Sequence, residues 1–323
     1  SVLEISHRSK DFVSILEQAK SLTKELLSIP DNYHVLFLSG GASTQFLMTA
    51  MNYLGDDQKA AYVDTGSWSS KAIKEAKRFG QVDVIASSKD KNYTYLPKEI
   101  QPDAGHAYLH MTSNNTIFGT QFQSFPETEV PIVCDMSSDI FSRKIPIEKF
   151  GTIYAGAQKN MGPAGTTLVI VRDDMIGTSG RNLPTIMNYQ THVDKDSSFN
   201  TPPVFPIYVS MLTLQWLKDN GGIPAAEARN KKKADTLYAE IDRNSLFQGV
   251  VASEDRSQMN VTFTLGNASL EGTFIDMCAE AGCVSVKGHR SVGGFRASIY
   301  NAMSLEGIQA LVDVMKAFEK KYG

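Results

Sequence analysis

Over residues 11–28 the apolar positions Phe12, Ile15, Leu16, Ala19, Leu22, Leu26 and Leu27 recur at helical spacing, and Pro30 closes the run, which predicts an amphipathic helix. The pattern then changes. Residues 35–38 form a short apolar run, Gly40-Gly41-Ala42-Ser43 a turn, and residues 44–53 a helical stretch, which together read as strand, turn and helix. The unit recurs with a strand over 60–64 and a helix over 69–78, followed by short apolar strands at 82–86, 107–111, 131–134, 152–155 and 166–171. Short buried strands alternating with helices predict an α/β fold, a mostly parallel sheet covered on both faces whose ligand sits at the carboxyl ends of the strands.

After a helical segment at 207–218, Asn220-Gly221-Gly222 interrupts the chain and a charged helix runs from about 224 to 241. The change of domain is placed here, with a large domain over 1–225 and a smaller α+β domain over 226–323. The smaller unit is expected to hold strands near 260–264, 284–287 and 297–300 and helices near 270–281 and 305–321.

Composition narrows the function. The 32 Lys and Arg against 35 Asp and Glu leave a net charge of −3, with no basic block to track a nucleic-acid backbone, so nucleic acid is excluded as a partner and any anion site is local. Cys134, Cys278 and Cys283 lack the spacing of a disulfide framework or a zinc site, so no metal is expected and a reducing, cytoplasmic compartment fits. No apolar run approaches the roughly 18 residues of a membrane span, and no signal-peptide pattern opens the chain. Ser1 to Ser6 read as the interior of a domain, and a preceding segment is expected.

Three segments carry candidate chemistry. The turn Gly40-Gly41-Ala42-Ser43-Thr44 would aim free backbone N–H groups and a positive helix end at an anion; it lacks the nucleotide-binding glycine patterns, and such a turn by itself is more often a connector. Ile132-Val133-Cys134-Asp135 ends an apolar strand in a carboxylate, which is costly to bury without a partner such as a protonated pyridine nitrogen; on local sequence alone, a cap or turn residue is the favoured reading. Lys159 lies at a strand end among small and apolar residues, where desolvation would yield the neutral amine that carbonyl chemistry requires, although most lysines are surface charges.

Together these segments resemble the phosphoserine aminotransferase family. The resemblance rests on His7-Arg8, Gly40-Gly41-Ala42-Ser43, residues 62–69 with Trp68, residues 114–119 with Thr116, Asp135, Ala157-Gln158-Lys159-Asn160, residues 199–203 and residues 288–298, in that order along nearly the whole chain. It implies a pyridoxal-phosphate transferase of fold type I, with a seven-stranded sheet sandwiched by helices and a small C-terminal domain. It further implies that Lys159 is the Schiff-base lysine and proton carrier, that Asp135 pairs with the pyridinium nitrogen, and that Trp68 stacks on the ring with Thr116 beside it. Ala42, Ser43 and Gln158 would hold the cofactor phosphate. Asn200 and Thr201 would reach that phosphate from the second subunit of a homodimer. Arg296 would fork onto the substrate α-carboxylate, and His7, Arg8, His289 and Arg290 would surround the substrate phosphate, some of them from the partner chain.

The expected reaction is reversible transamination between glutamate and 3-phosphohydroxypyruvate in serine biosynthesis, with a related step towards pyridoxine open. Some family members carry arginine where Ser43 stands, so the anion site here would be built differently. The competing readings are a serine–glyoxylate aminotransferase, a cysteine desulfurase and a cofactor-free scaffold. A desulfurase needs a cysteine on a mobile loop, and none of the three is so placed; a scaffold would be expected to lose Lys159 or Asp135.

Overall fold

The computed structural model describes residues 1–323. The first helix, α1 (Lys10–Leu27), starts where Ser9 accepts a hydrogen bond from the Phe12 N–H through its side chain, and stops where Ser28 turns left-handed at φ 53°. Phe12, Leu16, Ala19 and Leu27 form its buried stripe, which packs on α5 (Val204–Asp219).

Seven strands build the main sheet: β1 (Tyr33–Leu38), β2 (Lys59–Asp64), β3 (Gln81–Ser87), β4 (His106–Thr112), β7 (Ile132–Asp135), β8 (Phe150–Gly156) and β9 (Thr167–Arg172). Their order is β1-β9-β8-β7-β4-β2-β3, and only β9 runs against its neighbours. Alternate residues feed two cores. Ala61, Val63, Cys134 and Ile153 join the core beneath α1 and α5, whereas Ala60, Tyr62, Val133 and Tyr154 join the core under α2 (Gly41–Tyr53), α3 (Ser67–Ala76) and α4 (Tyr189–Asp194). Because both faces are covered, the central strands are continuous apolar runs. The edge strand β3 is largely exposed and blunted by charge, with Asp83 contacting His106 at 3.0 Å and Lys59 at 3.4 Å. A hairpin of two-residue strands, β5 (Asn114–Asn115) with β6 (Thr120–Gln121), follows β4.

The long helix α6 (Gly222–Arg243) gives Ile223 and Ala226 to the first core and Ala234, Leu237 and Ile241 to a third core. That third core lies under an antiparallel sheet of β10 (Phe247–Gly249), β11 (Asn260–Leu265) and β12 (Phe295–Ser298), closed by α7 (Glu271–Glu280) and α8 (Leu305–Tyr322). Its centre is aromatic, with Phe274 within 4.8 to 6.4 Å of the ring centroids of Phe247, Phe263, Phe295 and Phe318. No helix is long and apolar enough to cross a membrane.

Two expectations for this part fail. The strand expected at 284–287 is absent: Ser285 has φ 60°, Val284 is 77% exposed, and a single bridge between Lys287 and Phe295 is all that pairs. A left-handed residue inside the run breaks the pleat, so apolar alternation there has no partner strand to bury against. The strand expected at 297–300 begins two residues earlier, and β10, at the opposite edge of the sheet beside β11, was not anticipated because only Phe247 of its three residues is buried.

Phe274→Ala should destabilise the protein by about 3–5 kcal/mol, because the closed aromatic cluster cannot collapse onto the space left. Urea unfolding followed by far-ultraviolet circular dichroism measures this; a loss under about 1 kcal/mol would mean that the cluster is not what holds this sheet.

Candidate active site

The carboxyl ends of β4, β7 and β8 lie side by side, with Thr112 in register with Asp135 and Asp135 in register with Tyr154. Asp135 is 6% exposed and forms no salt bridge; one carboxylate oxygen accepts the Ser137 N–H at 2.9 Å. Ser137 in turn accepts the Gly156 N–H at 3.1 Å, which ties the end of β7 to the end of β8. Burial pushes the Asp135 carboxyl above its ordinary value, against the opposing pull of the Lys159 charge and the Ser137 N–H.

Lys159 sits three residues past the end of β8, and its Nζ donates to Thr116 Oγ1 at 2.8 Å. Burial lowers its pKa, the negative charge of Asp135 works against that shift, and Arg296 adds to it. Both members of the pair are thus moved towards neutrality, so desolvation outweighs their attraction. The floor beneath supplies no cation either. His110, on the same face one pleat below Thr112, shares a 2.8 Å hydrogen bond with the Tyr154 hydroxyl, stacks on Tyr62, and has its pKa pushed down to about 3 by burial, so it is neutral.

Trp68 lies in the first turn of α3, and the Lys159 Nζ stands 5.8 Å from its ring centroid. The helix start is fixed by Asp64 at the end of β2, which accepts from Ser69 at 3.0 Å, Ser70 at 2.8 Å and the Tyr93 hydroxyl at 3.2 Å. The indole N–H of Trp68 is buried without a partner. Arg296, on β12, reaches over from the smaller sheet and donates to the Thr116 carbonyl at 3.4 Å. Lys159, Thr116, Asp135, Trp68 and Arg296 therefore converge.

The remaining candidates lie around this group. Ala42 and Ser43 occupy the first turn of α2, which no side chain caps and no acidic residue enters, so the helix start presents free N–H groups. Gly40 caps it at φ 101°, and a Cβ there would lie 2.9 Å from the Thr44 Cβ, so the turn demands glycine. Gln158 is exposed next to Lys159, and Asn200 and Thr201 are exposed as well, Asn200 lining a small cavity with Gly40 and Thr44. His289 and Arg290 sit on the loop before β12. Val292 of that loop packs on Tyr93, Ile117 and Phe118, the cluster that also supports Trp68. His7 and Arg8 precede α1 and make no side-chain bond to the Lys159 group; Ile5 beside them packs on the first core. Ser137 and the buried amides Asn114, Asn160, Asn230, Asn260 and Asn301 were assigned no role from the sequence, since an asparagine beside apolar residues has no local signature of one.

A buried carboxylate with no cation of its own, a depressed lysine, an aromatic face and an uncapped helix start fit pyridoxal phosphate, whose ring nitrogen, aldehyde, ring and phosphate match them one for one. The family model "Aminotransferase class-V" matches residues 2–311. The phosphoserine aminotransferase of Flavobacterium johnsoniae is 58% identical over 322 residues, 99% of this chain and 90% of that protein. The solved phosphoserine aminotransferase from Bacillus circulans subsp. alkalophilus superposes with a TM-score of 0.97 at 48% identity, covering 100% of this chain and 91% of the other. A pyridoxal-phosphate-bound phosphoserine aminotransferase from Trichomonas vaginalis superposes with a TM-score of 0.92 at 37% identity, covering 98% and 91%.

Asp135→Asn should lower the Lys159 pKa further in cofactor-free protein, because it removes the negative charge that favours the ammonium form. The pH dependence of Lys159 acylation, read by mass spectrometry, tests this. An unchanged or raised midpoint would mean that the two groups do not sense each other.

Proposed function

The chain belongs to the class-V aminotransferases, and we propose that it exchanges an amino group reversibly between glutamate and 3-phosphohydroxypyruvate, giving 2-oxoglutarate and O-phospho-L-serine. The observation that carries the reading is the convergence of a desolvated Lys159, an unpaired buried Asp135 and Arg296 from the second sheet.

Pyridoxal phosphate, when bound, supplies an aldehyde that takes up the amino group and a protonated ring that draws electrons from the substrate Cα. Asp135 would hold the ring nitrogen in its protonated form, a cation that would compensate the burial of the carboxylate. Trp68 and Thr116 would help hold the ring, the Thr116 hydroxyl already engaging the Lys159 amine. Lys159 would hold the cofactor aldehyde and would be the group placed to carry a proton to and from the substrate Cα, a task that needs its pKa near the working pH. Ala42 and Ser43, through their N–H groups, and Gln158 receive the cofactor phosphate.

Arg296 meets the α-carboxylate, because a guanidinium fork suits a carboxylate in two parallel hydrogen bonds. The far end of the substrate is a second anion, for which His289 and Arg290 supply donors on a loop anchored beside Trp68, with His7 and Arg8 joining them from a second copy of the chain. One pocket for both the phosphate and the glutamate side-chain carboxylate lets a single site serve both halves of the exchange.

A homodimer fits the same picture. Phe205, Leu212 and Trp216 are 44, 45 and 41% exposed and, with Val209, form one stripe along α5. This stripe borders a cavity that Lys159 and Asn301 also line, so a second copy covering it would close the site. Asn200, Thr201, His7 and Arg8 would then complete the neighbouring site. Three free cysteines agree with a cytoplasmic location.

Purified protein given pyridoxal phosphate should show a near-visible band that shifts on adding glutamate and returns on adding 3-phosphohydroxypyruvate. Lys159→Ala should bind the cofactor without the lysine-linked band and lose turnover by at least about a thousandfold. A band that ignores glutamate would reject the reading. Arg296→Lys, which keeps the charge but not the fork, should leave the band intact and lower kcat/KM for glutamate by about 10- to 100-fold; an unchanged value would place the α-carboxylate elsewhere.

A further inference from the structure

Lys159 and Arg296 come from different sheets, yet the covalent geometry of an α-amino acid fixes the distance between the groups they must meet. A shift of about an ångström between the sheets would misplace one end of the substrate and cost rate. Apolar packing does not set this relation directly, since the third core holds no residue of the main sheet and the first two hold none of the smaller strands. The seam is polar: beside contacts such as Thr262 Oγ1 to the Phe118 carbonyl at 3.0 Å and the Ser257 N–H to the Gly119 carbonyl at 2.8 Å, it holds a set of buried amides.

Asn160, the residue after Lys159, accepts the backbone N–H of Asn301 at 3.0 Å and donates to the Ile140 carbonyl at 3.2 Å. Asn301 lies five residues beyond Arg296 and donates through its side chain to the Phe141 carbonyl at 2.9 Å. Asn230 of α6 donates to the Asn301 side-chain oxygen at 2.8 Å and to the Ser142 carbonyl at 3.1 Å. These three residues are 7, 7 and 1% exposed. From the other side, Asn114 donates to Asn260 at 2.8 Å, and Asn260 donates to Ser298 and the Tyr300 hydroxyl at 3.1 Å each.

We propose that Asn160 and Asn301, braced by Asn230, are positioning residues that set the separation between the Lys159 amine and the Arg296 guanidinium. An apolar seam can slide, whereas directional hydrogen bonds fix a register. Amides do so without a net charge, so they leave the balance between Asp135 and Lys159 undisturbed, which an ion pair at residue 160 would not. The inference rests on the proposed function, since it presumes a substrate that engages both groups.

The test uses cofactor-loaded Asn301→Ala and Asn230→Ala. Two probes are compared: glutarate, an inert dicarboxylate whose binding is measured by calorimetry, and hydroxylamine, which has no carboxylate and reports cofactor access through loss of the visible band. Asn301→Ala should weaken glutarate binding and slow single-turnover reaction with glutamate by about 10- to 100-fold, with hydroxylamine reactivity and the pH midpoint of the band unchanged. Asn230→Ala should change them in the same direction by less. Unaltered glutarate binding, or an equal loss with both probes, overturns the proposal, the second outcome marking general loosening. Should Asn301→Ala fail to fold, Asn301→Ser is held to the same comparison. A wild type that neither binds glutarate nor shifts its band with glutamate would instead reject the proposed function itself.

Discussion

Two ionisable groups buried together without full compensation govern the design of this site. Burial raises the Asp135 carboxyl and lowers the Lys159 amine, and their mutual attraction offsets only part of each shift. Such a pair is a poor source of stability in the free protein and a good receptor, because a cationic ring and an aldehyde relieve both groups at once. The surroundings keep the demand unmet. His110 is neutral beneath Asp135, Arg143 is committed to Asp139 and the Phe122 and Gln123 carbonyls, and Arg296 stands on the lysine side.

The parallel topology explains why these groups meet. With β4, β7 and β8 running the same way and in register, Thr112, Asp135 and the residues following Gly156 arrive at one edge of the sheet, where loops are free of the ladder. The single reversed strand, β9, returns the chain to pair β1, so the α2 turn that presents Ala42 and Ser43 opens at the same edge. The free N–H groups of one helix and the carboxylate of one strand can therefore serve opposite ends of one small cofactor.

The strands of the large sheet were plain in the sequence because most are short apolar runs, although only α2 and α3 lie between successive strands and the rest are joined by loops. The smaller sheet was harder to read. Val284 and Val286 mimic a strand, but Ser285 is left-handed between them, and β10 shows a single buried residue. Among site residues, the glycine turn, Asp135 and Lys159 were each ambiguous alone, and their joint order along the chain carried the reading. Arg296, His289 and Arg290 had no signal apart from the family resemblance that residues 288–298 carry. Their relevance depends on tertiary proximity, through the Thr116 carbonyl for the first and through Val292 for the loop that carries the other two.

The asparagines were illegible for a related physical reason. A buried amide is costly where its polar atoms go unmet; Asn160, Asn230 and Asn301 each donate to a main-chain carbonyl, which has no sequence identity, although the Asn230 side-chain oxygen has no partner. The same property makes them suited to the seam. Main-chain carbonyls at 140, 141 and 142 and the N–H of residue 301 stay in place whatever side chains neighbour them, so three amides can join two separately packed cores. Each core can then keep its own packing while the one distance that the substrate reads remains fixed.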